Sequence, residues 1–162
     1  MKKECGDRFF LEIGRSNSKI KNYFLNNFPE LKEKRVRHLN FNSCEIPKEI
    51  WLQEPVLSEI NSVFEIERAG LLSLEKDRVY DWHKDSDRGV AINMLLRNDH
   101  SHSLFKMRPS KFVVEKIKEL KYEPDTFYLF NTQADHCVIN FNKTRYVFSC
   151  EFKKKKDELN YM

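Results

Sequence analysis

The chain has little of what interrupts or staples a fold. Its 162 residues include only four glycines and five prolines. No long linker is evident, so a single domain spanning 1–162 is expected. No apolar run approaches the roughly 18 residues that a membrane-spanning helix needs. The start, Met1 to Arg8, carries basic residues but no apolar stretch follows it. That speaks against a secretory signal and for a cytoplasmic protein. Cys5, Cys44, Cys137 and Cys150 form no C-x-x-C pair, which leaves a structural zinc site unsupported and reads as four reduced thiols. An excess of one charge is also lacking. Lysine and arginine number 29 against 25 acidic residues, and the net +4 is accounted for by Lys153, Lys154, Lys155 and Lys156. The balanced remainder argues against a basic nucleic-acid-binding body. Residues 153–162 read as a solvated basic tail.

What is present suits a folded domain. Hydrophobic residues make up 40% and aromatics 13%, too much apolar material for a disordered chain. Residues 9–13 read as a strand. Ser16-Asn17-Ser18 looks like a helix cap, followed by Ile20, Tyr23, Phe24 and Phe28 at helical spacing, with Pro29 just past the expected stop. Residues 35–41 suit a strand, and Pro47 and Pro55 punctuate a loop-rich stretch. A helix is predicted over 56–63 with Val56, Ile60 and Val63 on one face. From residue 64 the texture changes to short β-rich runs: 64–67, 71–74, 90–96, 127–130, 137–139 and 146–152. Residues 111–121 fit a helix or a strand. Residues 97–111 are polar and read as the most mobile loop. The fold class expected is α+β, mainly β: a sandwich or barrel with N-terminal helices.

One segment carries chemistry: Tyr80-Asp81-Trp82-His83-Lys84-Asp85. Residues two apart on a strand project to the same face, so His83 and Asp85 would converge. An imidazole and a carboxylate, joined by a distant third ligand, make the facial triad of non-haem Fe(II) oxygenases. Downstream, His136 opens one apolar strand and Arg145 opens the next. On a strand over 145–152, Arg145, Val147 and Ser149 share one face, opposite Tyr146, Phe148, Cys150 and Phe152. An inward arginine is costly unless it meets an anion, and its planar fork suits a carboxylate.

His83, Asp85, His136 and Arg145, in this order and spacing, resemble the Fe(II)/2-oxoglutarate-dependent dioxygenase superfamily over roughly residues 71–152. The resemblance implies a double-stranded β-helix (jelly-roll or cupin-like) with its core at about 64–152. It implies Fe(II) on His83, Asp85 and His136, and 2-oxoglutarate and O2 as co-substrates. The distal carboxylate of 2-oxoglutarate would lie on Arg145. Tyr80 resembles the tyrosine of the prolyl-hydroxylase-like Tyr-x-x-His-x-Asp pattern, where it helps to hold 2-oxoglutarate. Ser73 and Asn93 stand where the aspartyl/asparaginyl β-hydroxylase branch places polar residues that touch the co-substrate. The implied activity is hydroxylation of a C–H bond in an amino-acid side chain, free or in a peptide or protein, with release of succinate and CO2.

Other residues keep plainer readings. Arg88 is a candidate substrate contact or a partner of Asp87 or Asp85. Trp82 is a candidate substrate contact or part of the pocket wall. His38, His100 and His102 read as surface or loop residues. Two alternatives remain for the function: oxidative demethylation of a nucleic acid by the same chemistry, and a cupin-like metal-binding barrel that is no oxygenase and would not need Arg145.

Overall fold

The computed structural model describes residues 9–38, 41–97, 101–106 and 117–153. Its first part mixes strands and short helices: β1 (Phe10–Arg15), α1 (Lys19–Asn26), α2 (Phe28–Glu33), β2 (Val36–His38), β3 (Phe41–Glu45), α3 (Lys48–Trp51) and α4 (Pro55–Val63). Eight strands follow: β4 (Ile66–Leu74), β5 (Arg78–His83), β6 (Val90–Arg97), β7 (Ser101–Lys106), β8 (Ile117–Leu120), β9 (Thr126–Asn131), β10 (Asp135–Asn140) and β11 (Arg145–Phe152).

These strands form two antiparallel sheets. The larger runs β1-β9-β6-β11-β4-β3-β2 and the smaller runs β5-β10-β7-β8. From β4 to β11 the chain passes from one sheet to the other at every connection except β7–β8. This is the expected double-stranded β-helix, with β1, β2 and β3 widening the larger sheet. The fold class is therefore α+β and mainly β, as the strand pattern predicts.

Strand alternation sorts the larger sheet's two faces. Phe148, Cys150 and Phe152 of β11 turn to the helices. There they join Ile20, Phe24, Trp51 and Leu57 in the main core. Each large apolar side chain buried this way contributes about 1.5–3 kcal/mol. Arg145, Val147 and Ser149 turn the other way, into a cavity beside the smaller sheet.

Several local expectations need correction. The helical stretch after Ser18 stops at Asn26, but a second helix starts at once. Pro29 sits in the first turn of α2, where its missing N–H costs nothing. Within Ser16-Asn17-Ser18, Ser18 has φ 70° and makes no side-chain cap, whereas Asn17 Oδ1 accepts from Lys19 N at 3.3 Å and Ser16 Oγ from Ser18 N at 2.9 Å. The fully buried Glu54 completes the cap. Its carboxylate accepts from Ser16 Oγ at 2.9 Å, Asn17 N at 2.8 Å and Ile20 N at 3.1 Å. An anion at a helix N-terminus is well placed electrostatically. The loop-rich stretch between Pro47 and Pro55 contains α3. In α4 the buried residue is Leu57, and Val63 is 70% exposed. Part of the supposed mobile loop is strand β7, with Ser103 and Phe105 buried. Within 111–121, residues 117–120 form β8, and 111–116 lie outside the described residues.

Among the described residues, Cys44, Cys137 and Cys150 are free and buried; Cys5 lies outside them. So do Lys154 to Lys156, while Lys153 pairs with Glu65 at 2.9 Å. His100 and the side chain of His38 also lie outside. His102 is exposed on β7 and contacts Glu119 at 2.6 Å. No helix among the described residues is long and apolar enough to cross a membrane.

Candidate active site

The first histidine is placed by an irregular strand pair. His83 of β5 faces His136 of β10, but the next matched pair is Tyr80 and Val138. The extra residue on β5 is a bulge. It brings Tyr80 and His83, three apart in sequence, together: their rings lie 3.9 Å apart at 36°. The bulge changes the expected route to the site. Asp85 is not on the strand at all, since β5 ends at His83. It sits in the following turn, where its backbone N–H donates to Thr132 O at 3.0 Å.

His83, Asp85 and His136 offer one ligand atom each, all within 4.8 Å of one another. Asp85 Oδ1 lies 3.6 Å from His83 Nε2 and 3.9 Å from His136 Nε2. The other ring nitrogens are committed. His83 Nδ1 is 2.6 Å from Asp81 O, and His136 Nδ1 is 2.9 Å from Ala134 O. A carbonyl only accepts, so Nδ1 carries the proton and a neutral ring presents a bare Nε2. This is the arrangement that orients an imidazole toward a metal. His83 Nε2 is buried without a hydrogen-bond partner. His136 is 6% exposed, with Phe130 and Phe105 beside it. Burial pushes its pKa down, helped by His83 and Arg88 and opposed by the Ala134 carbonyl and Asp85. Both features keep a lone pair ready, and the donor set suits a divalent transition metal.

The same cavity holds Arg145, 5% exposed at the start of β11. Its Nη2 donates to Ser103 Oγ at 2.9 Å, and its guanidinium carbon is 5.5 Å from the centre of the Tyr122 ring. Its Nε has no partner. No carboxylate pairs with it among the described residues. Burial lowers its pKa, partly offset by Tyr122. The Tyr122 phenol is raised by burial, against the opposing pull of Arg145 and Ser103, yet it makes no well-aligned hydrogen bond. A buried cation with spare donors is suited to receive an anion.

The cavity encloses about 700 Å³, counting its open mouth. Asn93 faces it from β6, level with Ser149 on β11, and its Oδ1 is buried without a partner. Tyr80 lines it as well, its pKa raised by burial and by Asp85. Ser73 is among the residues lining the cavity, but it is level with Tyr146 and its hydroxyl accepts from Arg35 Nη1 at 2.9 Å. Trp82 is outside the cavity wall, under the Lys106 ammonium at 4.9 Å. Arg88 lines the cavity but grips Asp85, with Nη2 at 2.7 Å. Sequence reasoning missed Ser103 and Tyr122. Neither carries a local motif; only the pairing of β7 with β8 and the turn into β9 bring them to Arg145.

No protein-family model and no curated protein sequence match the chain. Solved structures do. A prolyl hydroxylase from Trichoplax adhaerens, in complex with a hypoxia inducible factor peptide fragment, superposes with a TM-score of 0.65 at 14% identity, covering 90% of this chain and 84% of that one. A viral collagen prolyl hydroxylase from Paramecium Bursaria Chlorella virus-1, in complex with 2-oxoglutarate, gives 0.61 at 14% identity, covering 93% and 98%. HygX from Streptomyces hygroscopicus, with nickel and 2-oxoglutarate bound, gives 0.65 at 10% identity, covering 89% and 82%. The fold is thus the double-stranded β-helix of 2-oxoglutarate oxygenases. Among these neighbours, prolyl hydroxylases recur.

Proposed function

We propose that this chain is an Fe(II)- and 2-oxoglutarate-dependent oxygenase that hydroxylates an amino-acid side chain, free or within a peptide or protein. The observation that carries this is a single cavity holding both a three-ligand cluster and a buried arginine that no carboxylate pairs with among the described residues. The cluster by itself would suit any divalent-metal protein, and the arginine by itself any small anion. Together they match a co-substrate with a chelating keto-acid end and a second carboxylate. A cupin-like barrel that binds only metal has no use for Arg145.

In this reading His83, Asp85 and His136 hold the iron, which when bound activates dioxygen for C–H oxidation at the expense of 2-oxoglutarate. Two neutral imidazoles and one carboxylate leave the dication with net positive charge, which favours a chelating anion. Arg145 and Ser103 receive the distal carboxylate, with the Tyr122 phenol beside them. Tyr80 and Asn93 line the space between and help to orient the co-substrate. The apolar wall, including Phe130, Val138 and Val147, keeps water from the bound keto acid. Proteins of similar fold include a prolyl hydroxylase bound to a peptide fragment and a collagen prolyl hydroxylase, which supports a peptide substrate of this kind.

The test is anaerobic addition of Fe(II) and 2-oxoglutarate, watching for the weak visible charge-transfer band of a chelated keto acid. Admission of oxygen with a panel of amino acids and peptides should then yield succinate. Absence of the band, or equal succinate formation by His83→Ala, would refute the proposal. Turnover with methylated nucleic acid instead of peptides would move the assignment to a demethylase.

A further inference from the structure

The two oxygens of Asp85 are not equivalent. Oδ1 faces the two imidazoles. Oδ2 accepts a hydrogen bond from Arg88 Nε at 2.8 Å and lies 2.7 Å from Nη2 of the same guanidinium as an ion pair. Arg88 is itself fastened. Its backbone carbonyl accepts from Thr132 Oγ1 at 2.6 Å and Gln133 Nε2 at 2.7 Å, and Gln133 Nε2 also reaches the Asp85 carbonyl at 2.9 Å. Its Nη1 is 3.4 Å from Ser149 Oγ. The turn carrying Asp85 is thus tied to the turn that precedes His136. Of the two roles the sequence leaves open for Arg88, a substrate contact or a partner of Asp87 or Asp85, the structure has the pairing with Asp85.

We infer that Arg88 is a positioning residue that restricts Asp85 to ligation through one oxygen. This rests on the proposed metal site and deepens it. A free carboxylate can chelate a metal through both oxygens and occupy two positions. With Oδ2 held by a charge-assisted hydrogen bond and a close ion pair to one guanidinium, only Oδ1 is available. Three protein atoms then leave about three positions of an octahedron open, enough for a chelating keto acid and a third small ligand. Without Arg88, Oδ2 is free to take one of those positions.

The test uses Mn(II) alone, bound to the full chain without co-substrate. Line broadening of the Mn(II) EPR signal in ¹⁷O-enriched water counts the metal-bound waters. Wild type should hold about three waters and Arg88→Met about two, for an octahedral ion. Arg88→Lys keeps a cation on Oδ2 and should restore the wild-type count. A merely structural role would change melting or affinity without changing the count. If Arg88→Met does not fold, Arg88→Ala is read in the same way. An unchanged count in the folded variant overturns this inference alone. If wild type binds Mn(II) no better than His83→Ala, the metal-site proposal itself fails.

Discussion

Replacing Arg145 by methionine should separate stability from function. In the free protein Arg145 gives up little when it is lost. Its hydrogen bond to Ser103 contributes about 1.5–3 kcal/mol at most for a charged donor. Its packing on Tyr122 adds about 0.5–2 kcal/mol. Against these stands the burial of a cation with no counter-ion among the described residues, which costs several kcal/mol. The terms nearly cancel, so Arg145→Met should melt within about 5 °C of wild type. Binding should respond differently. Removing one partner of a buried charge pair costs about 2–5 kcal/mol. That corresponds to a loss of roughly 30-fold to several thousand-fold in 2-oxoglutarate affinity. Isothermal titration into Mn(II)-loaded protein measures this. 2-Oxobutyrate, which has the keto-acid end but no distal carboxylate, is the control and should bind wild type and variant alike. An equal loss for both ligands, or a change of less than about threefold for 2-oxoglutarate, would refute the assignment of Arg145.

Three further outcomes follow from the structure. Glu54→Ala strands three donors at the start of α1, so it should cost about 3–5 kcal/mol and lower the melting temperature by roughly 10 °C; an unchanged melting curve would show the carboxylate to be dispensable. The metal-free protein should lose stability as pH falls below about 6.5, the unfolded histidine's value. Burial lowers the His136 pKa in the fold, so only the unfolded chain gains that proton; His136→Gln should flatten this part of the denaturation profile measured in chelator. Gly70→Ala would set a Cβ 2.8 Å from the Cys44 carbonyl oxygen on β3, and the strand shift it forces should cost about 1–3 kcal/mol in urea denaturation.

The sequence is most legible where chemistry and alternation coincide. Arg145 faces the cavity because β11 itself runs unbroken, the extra residues in its pairings lying on β6 and β4, so counting by twos suffices. Counting by twos also brings His83 and Asp85 together, but by the wrong geometry. A bulge and a turn do the work of an unbroken strand, and nothing local in Tyr80 to Asp85 announces the extra residue. Ser73 lines the cavity, yet its hydroxyl is engaged elsewhere. Its spacing from His83 fits a family pattern, but its register opposite Tyr146 sends the hydroxyl to Arg35. Ser103 and Tyr122 are invisible in the sequence because their role depends on strand pairing across the sheet. Glu54 looks like any surface acid there. Its burial depends on α1, thirty-odd residues earlier in the chain.

The pairing of β5 with β10 also sets when the site can come into being. His83 and Asp85 leave the ribosome long before His136, with β6 to β9 synthesised in between. Until β10 docks, the nascent chain carries two weak donors and no cage. Closing so distant a pair carries a large loop-closure cost and is slow relative to local structure. The three-donor cluster is therefore completed only at the end of folding. A chain stalled before β10 holds only two of the cluster's three donors, and the third arrives with the strand that closes the smaller sheet.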